Sequence, residues 1–285
     1  MEIQNQHDVI DHDAWVGREE VRSDRVDLRI AQGLAVTLDY EPSSLLEGDS
    51  LPALWHWVYF TPNTRTNELG TDGHPKRGGF LPPVELPNRM WAGGRLNFIQ
   101  PLKVGERIER VSRIMRCERK SGRTGDLVFV TVEHSISGSN GVALVEEQDI
   151  VYRNAAPMAA RLAGEEAPNV ADYRVNINPD PLLLFRYSAL TFNAHRIHYD
   201  HPYVTQVEGY PGLVVHGPLT ATLLLDAFRN RHSDKHIKTF AFRAVGPLFD
   251  RHYFDVCGRI TGPDSAELWT DEAGRLTMKA TVTFE

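Results

Sequence analysis

Asn193, His195, His198, Asp200 and His201 fall within nine positions, and no other stretch of the chain is as dense in groups that move a proton or orient a water. A neutral imidazole can accept a proton and return it near neutral pH, which makes His198 the candidate general base. Asn193, five residues earlier, offers an amide that can orient a water, and Asp200 can hold the imidazole tautomer from the other side. A short way on, His216, Gly217 and Pro218 precede an apolar helical pattern, with Pro218 suited to the first helical turn. Backbone N–H groups at a helix N-terminus are natural partners for an anion. A Gly217 N–H aimed at a developing oxyanion would contribute about 3–4 kcal/mol to the transition state. Each feature alone has a plain reading: a capping histidine, a glycine that permits a tight turn. Together they describe a site that forms a thioester enolate.

His195, His198 and His201 recur at intervals of three, so a metal has to be considered. The spacing lacks the helical pair at i and i+4 with an intervening Glu, and Phe192 and Tyr199 interleave. No metal is expected.

The elements that must position these residues follow from periodicity. Residues 11–40 read as helical, with Val26, Ile30, Leu34 and Leu38 on one face and Ser23 as a cap. Residues 42–94 are irregular and rich in Pro, Gly and aromatic residues. Such a loop is either functional or a packed cover for a sheet edge. From 95 to 153 the period becomes two, predicting an antiparallel meander after the helix. Residues 156–172 read as a linker. A second helix over 218–231 is followed by alternating runs at 239–244, 251–260, 266–269 and 276–284. The plan of helix then antiparallel sheet therefore occurs twice, over 1–155 and 173–285. The expected class is α+β: a double hot-dog, two central helices each wrapped by an antiparallel sheet, with the two sheets joined side by side.

The 285 residues are enough for a sizeable core, and the net charge of −7 with no basic block argues against nucleic acid. Cys117 and Cys257 sit in alternating apolar runs and read as buried thiols. No apolar run reaches the roughly 18 residues of a membrane span, and the acidic, polar N-terminus does not read as a signal peptide. A cytoplasmic protein is expected, with a homodimer as the default assembly.

The stretch from Tyr187 to Asp200 resembles the motif of MaoC-like, type-2 enoyl-CoA hydratases. In that family an Asp, an Asn two residues on and a His five residues on occupy an overhanging loop of a hot-dog fold. Asn193, His195 and His198 fall on these three positions, and His216-Gly217 matches the family's oxyanion glycine. The version in this chain, together with residues 55–60 and 78–94, is similar to a narrower group: hydroxyacyl-thioester dehydratases and mesaconyl-C4-CoA and itaconyl-CoA hydratases. The resemblance implies reversible hydration of a short branched dicarboxylic enoyl-CoA, mesaconyl-C4-CoA or itaconyl-CoA going to citramalyl-CoA. The expected catalytic set is His198, Asn193 and Gly217, with His195, Arg196, Asp200 and His216 as substrate-binding residues. Arg196 is the candidate partner of the free carboxylate. The expected partner is the acyl-CoA substrate, and no cofactor is needed beyond the coenzyme A that it carries. The first half would be a degenerate substrate-binding unit. A fatty-acyl 3-hydroxyacyl-thioester dehydratase and a non-catalytic acyl-CoA-binding hot-dog protein are the alternatives. A thioesterase is disfavoured because Asp226 lies two turns into the second helix. Asn193 departs from the family pattern, since an amide cannot take the proton that the usual Asp–His pair takes from water. His198 is then either the sole base or helped by Asp200.

Overall fold

The computed structural model describes residues 13–122, 125–154 and 164–285. Ten strands form one antiparallel sheet in the order β1-β3-β4-β5-β2-β7-β10-β9-β8-β6. The first five are β1 (Glu19–Arg25), β2 (Asn88–Phe98), β3 (Arg107–Gly122), β4 (Gly125–Gly138) and β5 (Gly141–Arg153). The second five are β6 (Tyr173–Ile177), β7 (Ile237–Ala244), β8 (Phe254–Gly262), β9 (Ser265–Glu272) and β10 (Arg275–Phe284). Read from either outer edge inward, the order is the same: first strand, third, fourth, fifth, second. The repeated plan legible in the sequence is thus a repeated topology, and the halves join where β2 pairs with β7.

Four helices accompany the sheet among the described residues: α1 (Leu28–Thr37), α2 (Pro181–Leu190), α3 (His201–Gln206) and α4 (Gly217–Arg231). The α4 helix is the core of its half. Leu219, Leu224, Leu225 and Phe228 are fully buried, and it packs on β8, β9 and β10. Burial of side chains of this size is worth about 1.5–3 kcal/mol each, which holds a helix whose own periodicity is weak. Between β1 and β2 the first half carries α1 and short 3₁₀ turns, one of them Trp55–Val58. The Trp55 indole donates to the buried carboxylate of Asp226 on α4 at 3.3 Å, tying that turn to the long helix.

Two expectations need correction. Residues 11–40 do not form one helical region: Glu19–Arg25 is an edge strand on β3, and the helix begins at Leu28, capped by Asp27 rather than Ser23. Nor is the first-half sheet a simple meander. β2 pairs with β5 and β7, not with β3, because the sheet is completed by its last strand. At that junction two glycines are required sterically. A Cβ on Gly93 would stand 2.5 Å from the Phe242 carbonyl oxygen, and one on Gly94 would meet the Phe242 ring at 3.0 Å. The space they leave lets Phe242 pack edge-on against Trp57 and Trp91.

The expected linker over 156–172 lies partly outside the described residues. Its described part follows the second-half sheet: Glu165 pairs with Arg243 and Lys279, and the Ala167 N–H donates to Gly274. Cys117 and Cys257 are buried, as read from sequence. No helix of the described residues is long and apolar enough to cross a membrane.

Candidate active site

The motif occupies the connection between α2 and α4. The α2 helix ends at Leu190, Phe192 takes a left-handed φ of 50°, and the chain turns into the loop carrying Asn193 and His195. A single 3₁₀ turn, Arg196–His198, then places His198 inside the fold at 8% exposure. His198 Nδ1 lies 2.7 Å from the Val214 carbonyl oxygen, which can only accept. Nδ1 therefore carries the hydrogen, and the neutral ring keeps the Nε2 lone pair. The His216 ring stacks on it with centroids 3.7 Å apart and an 18° tilt. Burial is the main cause that pushes His198 down to about 4, so the ring is neutral and ready to accept a proton at neutral pH.

The remaining predicted residues fall into distinct places. Asn193 lines a cavity, and its Oδ1 accepts from the His195 N–H at 3.0 Å. His195 stands between two other imidazoles, 5.4 Å from His198 and 3.9 Å from His74 between centroids. Burial, then the neighbouring His74, pushes His195 to about 2. His216 is 1% exposed with Nε2 at 2.8 Å from Ser188 Oγ, and its stacked ring supports His198. Asp200 does not orient His198. It caps α3 through the Tyr203 N–H and pairs with Arg196. Arg196 is engaged within the fold: its guanidinium donates to Asp200 and to the Thr71 carbonyl, and it lies over the Tyr203 ring. Sequence proximity says nothing about which hydrogen bonds a loop uses to hold its own shape. His201, the third of the regularly spaced histidines, is exposed at the start of α3, so that trio does not assemble.

The cavity has a volume of about 410 Å³ and lies between the halves. Pro218, in the first turn of α4, forms part of its wall, so the amino end of that helix faces it. The Gly217 N–H belongs to the first turn, where a helix provides no internal acceptor. A Cβ at Gly217 would meet nothing within 4 Å, so the space beside its Cα is open.

The first half supplies residues that the sequence reading missed. Arg89 and Arg110 line the cavity. Arg110 Nε is buried without a hydrogen-bond partner among the described residues, its guanidinium sits 4.8 Å above the Phe60 ring, and burial lowers its pKa. Beside it, buried Glu146 accepts from His56, Trp57 and Gln148, which holds it ionised despite burial. Asp72 and His74 come from the irregular loop. His74 lines the cavity, and its Nδ1 lies 3.0 Å from Asp72 Oδ2. Asp72, His74 and His195 bring one ligand-type atom each to within 4.8 Å of one another. The only signal for this loop was its unusual length and its embedded aromatics.

Several imidazoles buried as neutral rings make a prediction about acid. His198 and the similarly buried His134 are both pushed to about 4, and His195 lower still. In the unfolded chain these rings titrate near 6.5. The unfolded state therefore binds more protons below that pH, so stability is full above about pH 6.5 and is lost as pH falls toward 4. Urea midpoints measured across this window should decline steadily; a flat profile would mean that these rings are not buried as neutral groups.

Residues 54–250 match the sequence profile of hydroxyacyl-thioester dehydratase type 2. The chain is 48% identical over 251 residues to the mesaconyl-C(4)-CoA hydratase of Chloroflexus aurantiacus, covering 87% of this chain and 89% of that protein. It is 27% identical to the mitochondrial hydroxyacyl-thioester dehydratase type 2 of Schizosaccharomyces pombe, covering 83% of each. Among solved structures, a MaoC-like dehydratase superposes with a TM-score of 0.72 at 16% identity, covering 96% of this chain and 99% of that one. That likeness supports the hot-dog fold.

Proposed function

Because this chain belongs to the hydroxyacyl-thioester dehydratase type 2 family and is a hydro-lyase, we propose that it hydrates mesaconyl-C4-CoA or itaconyl-CoA to citramalyl-CoA. One observation carries the reading: a single cavity is lined by Asn193, by the first turn of α4 and by the two arginines Arg89 and Arg110. Water adds to the β-carbon while the π electrons move toward the thioester oxygen. Gly217 N–H, at the positive end of α4, meets that oxygen. His198 Nε2 takes the water proton, and the Asn193 amide orients the water. In itaconyl-CoA the double bond is not conjugated to the thioester, so an α-proton shift precedes hydration. The reaction requires no cofactor beyond the coenzyme A of the substrate. The same reading has the protein act as a cytoplasmic homodimer.

The free carboxylate, on the β-carbon of mesaconyl-C4-CoA, is assigned to Arg110 rather than to Arg196. A buried N–H without a hydrogen-bond partner is costly, and a substrate carboxylate at Arg110 Nε removes that cost. Replacing Arg110 by Met keeps the length and removes the charge. A charge-assisted hydrogen bond is worth about 1.5–3 kcal/mol, so kcat/KM for mesaconyl-C4-CoA should fall about 10–150-fold relative to crotonyl-CoA. An unchanged ratio would remove Arg110 from the carboxylate site. The function itself is tested with a panel of enoyl-CoA esters monitored for hydration and for free thiol release. Hydration of mesaconyl-C4-CoA or itaconyl-CoA, ahead of crotonyl and long-chain esters and without thiol release, is expected. Preference for a long-chain ester would replace this reading with the fatty-acyl dehydratase.

A further inference from the structure

We propose that Asp72 and His74 are the second acid–base unit of this site and supply from the first half the carboxylate that position 193 lacks. The proposal rests on the hydratase reading above.

Placement comes first. The loop of residues 71–74 is fastened directly to the motif. The Arg196 N–H donates to the Asp72 carbonyl at 2.9 Å, and Arg196 Nη1 donates to the Thr71 carbonyl at 3.0 Å. Gly73 has a φ of +89°, and a Cβ there would overlap the Ala194 carbonyl oxygen. Two backbones in this contact make the loop part of the motif in space.

Orientation comes next. Asp72 also accepts the His74 backbone N–H, so its carboxylate is held from two sides. With Nδ1–H given to Asp72, the neutral His74 ring keeps its Nε2 lone pair, and the residue lines the cavity.

Electrostatics distinguish His74 from its neighbours. Four imidazoles form a contiguous series, His74, His195, His198 and His216, through ring contacts of 3.9, 5.4 and 3.7 Å. His198 gives its Nδ1–H to a neutral carbonyl, and His216 faces the hydroxyl of Ser188. Of the four, His74 is the ring hydrogen-bonded to a carboxylate. A proton taken by His198 creates an imidazolium in a desolvated place with no carboxylate hydrogen-bonded to it among the described residues, whereas the same charge on His74 is paired.

The step balances as follows. The O–H bond of water breaks toward His198 Nε2, the oxygen bonds the β-carbon, and the π pair moves onto the thioester oxygen. His198 hands its proton to His195, which releases one from its other nitrogen to His74. His74 Nε2 gives that proton to the α-carbon as the enolate collapses. All three rings end neutral; the middle ring ends in its other tautomer and returns by exchange with cavity water. In the reverse direction His74 removes the α-proton.

Asp72→Asn and His74→Ala test this. Both are assayed for hydration across pH, with and without added imidazole, after dialysis against EDTA. His74→Ala should lose about 10²–10³-fold in kcat, with partial rescue by imidazole. Asp72→Asn keeps the loop geometry but removes the charge that favours His74 imidazolium. Its acidic limb of kcat/KM should therefore move to lower pH, a shift that a purely structural role would not produce. Activity of both variants within about threefold of the parent, or an acidic limb unmoved in Asp72→Asn, overturns the proposal. Loss of parent activity on EDTA dialysis, restored by Zn²⁺, also overturns it, and would make Asp72, His74 and His195 a metal site. If the parent hydrates no enoyl-CoA, the functional reading fails and this one with it; an active parent with unaffected variants removes the dyad alone.

Discussion

Replacement of His198 by Ala is expected to lower kcat for enoyl-CoA hydration by about 10³–10⁴-fold, the upper part of the range for a positioned general base. Three features place it there. The hydrogen bond from Nδ1 to the Val214 carbonyl leaves no choice of tautomer, so the lone pair is always on Nε2. His216 stacks on the ring and is itself anchored to Ser188, so the base cannot tilt. Burial keeps the ring neutral well below neutral pH, so the competent form is fully populated. KM should change far less than kcat, because the lost interaction is one made with water in the transition state. Steady-state assays with mesaconyl-C4-CoA decide the matter, and activity within tenfold of the parent, about 1.4 kcal/mol, would sink the assignment.

Much of this architecture was legible because it rests on local pattern. The alternation over 143–152 and 276–284 and the Gly and Ala-Gly turns at 141 and 273–274 each correspond to an observed strand or reversal. So does the helix after Pro218, which begins one residue earlier at Gly217. The repeated plan was visible for the same reason. What escaped was set by distant partners. Edge strand β1 reads as part of a helix because Val21 is its one apolar residue, its identity coming from pairing with β3. Arg196 and Asp200 look like substrate ligands by type, yet each is spent on holding the loop. Asp72 and His74 are over a hundred positions from the motif. No periodicity marks them, and only folding brings them against His195.

Gly73→Ala is the substitution expected to separate that loop from the motif. The added methyl would occupy the position of the Ala194 carbonyl oxygen, and a residue with a Cβ also resists a φ of +89°. Relief requires either loop to move. Movement of the 71–74 loop breaks the Arg196 N–H bond to Asp72 and carries His74 away from His195; movement of the motif shifts Asn193 and His195 instead. A misplacement near 1 Å in a positioned site can cost roughly 10²-fold in rate, and either movement separates His74 from His195, so a loss in kcat of about 10²-fold or more is expected. Stability should change much less. The loop is polar and only partly buried, and the main core, centred on α4 and the sheet, contains none of residues 71–74. A thermal melt close to the parent's combined with a collapse in kcat is therefore the expected pair of results. A variant with parental kcat would show that the close backbone contact at Gly73 does not hold the site together.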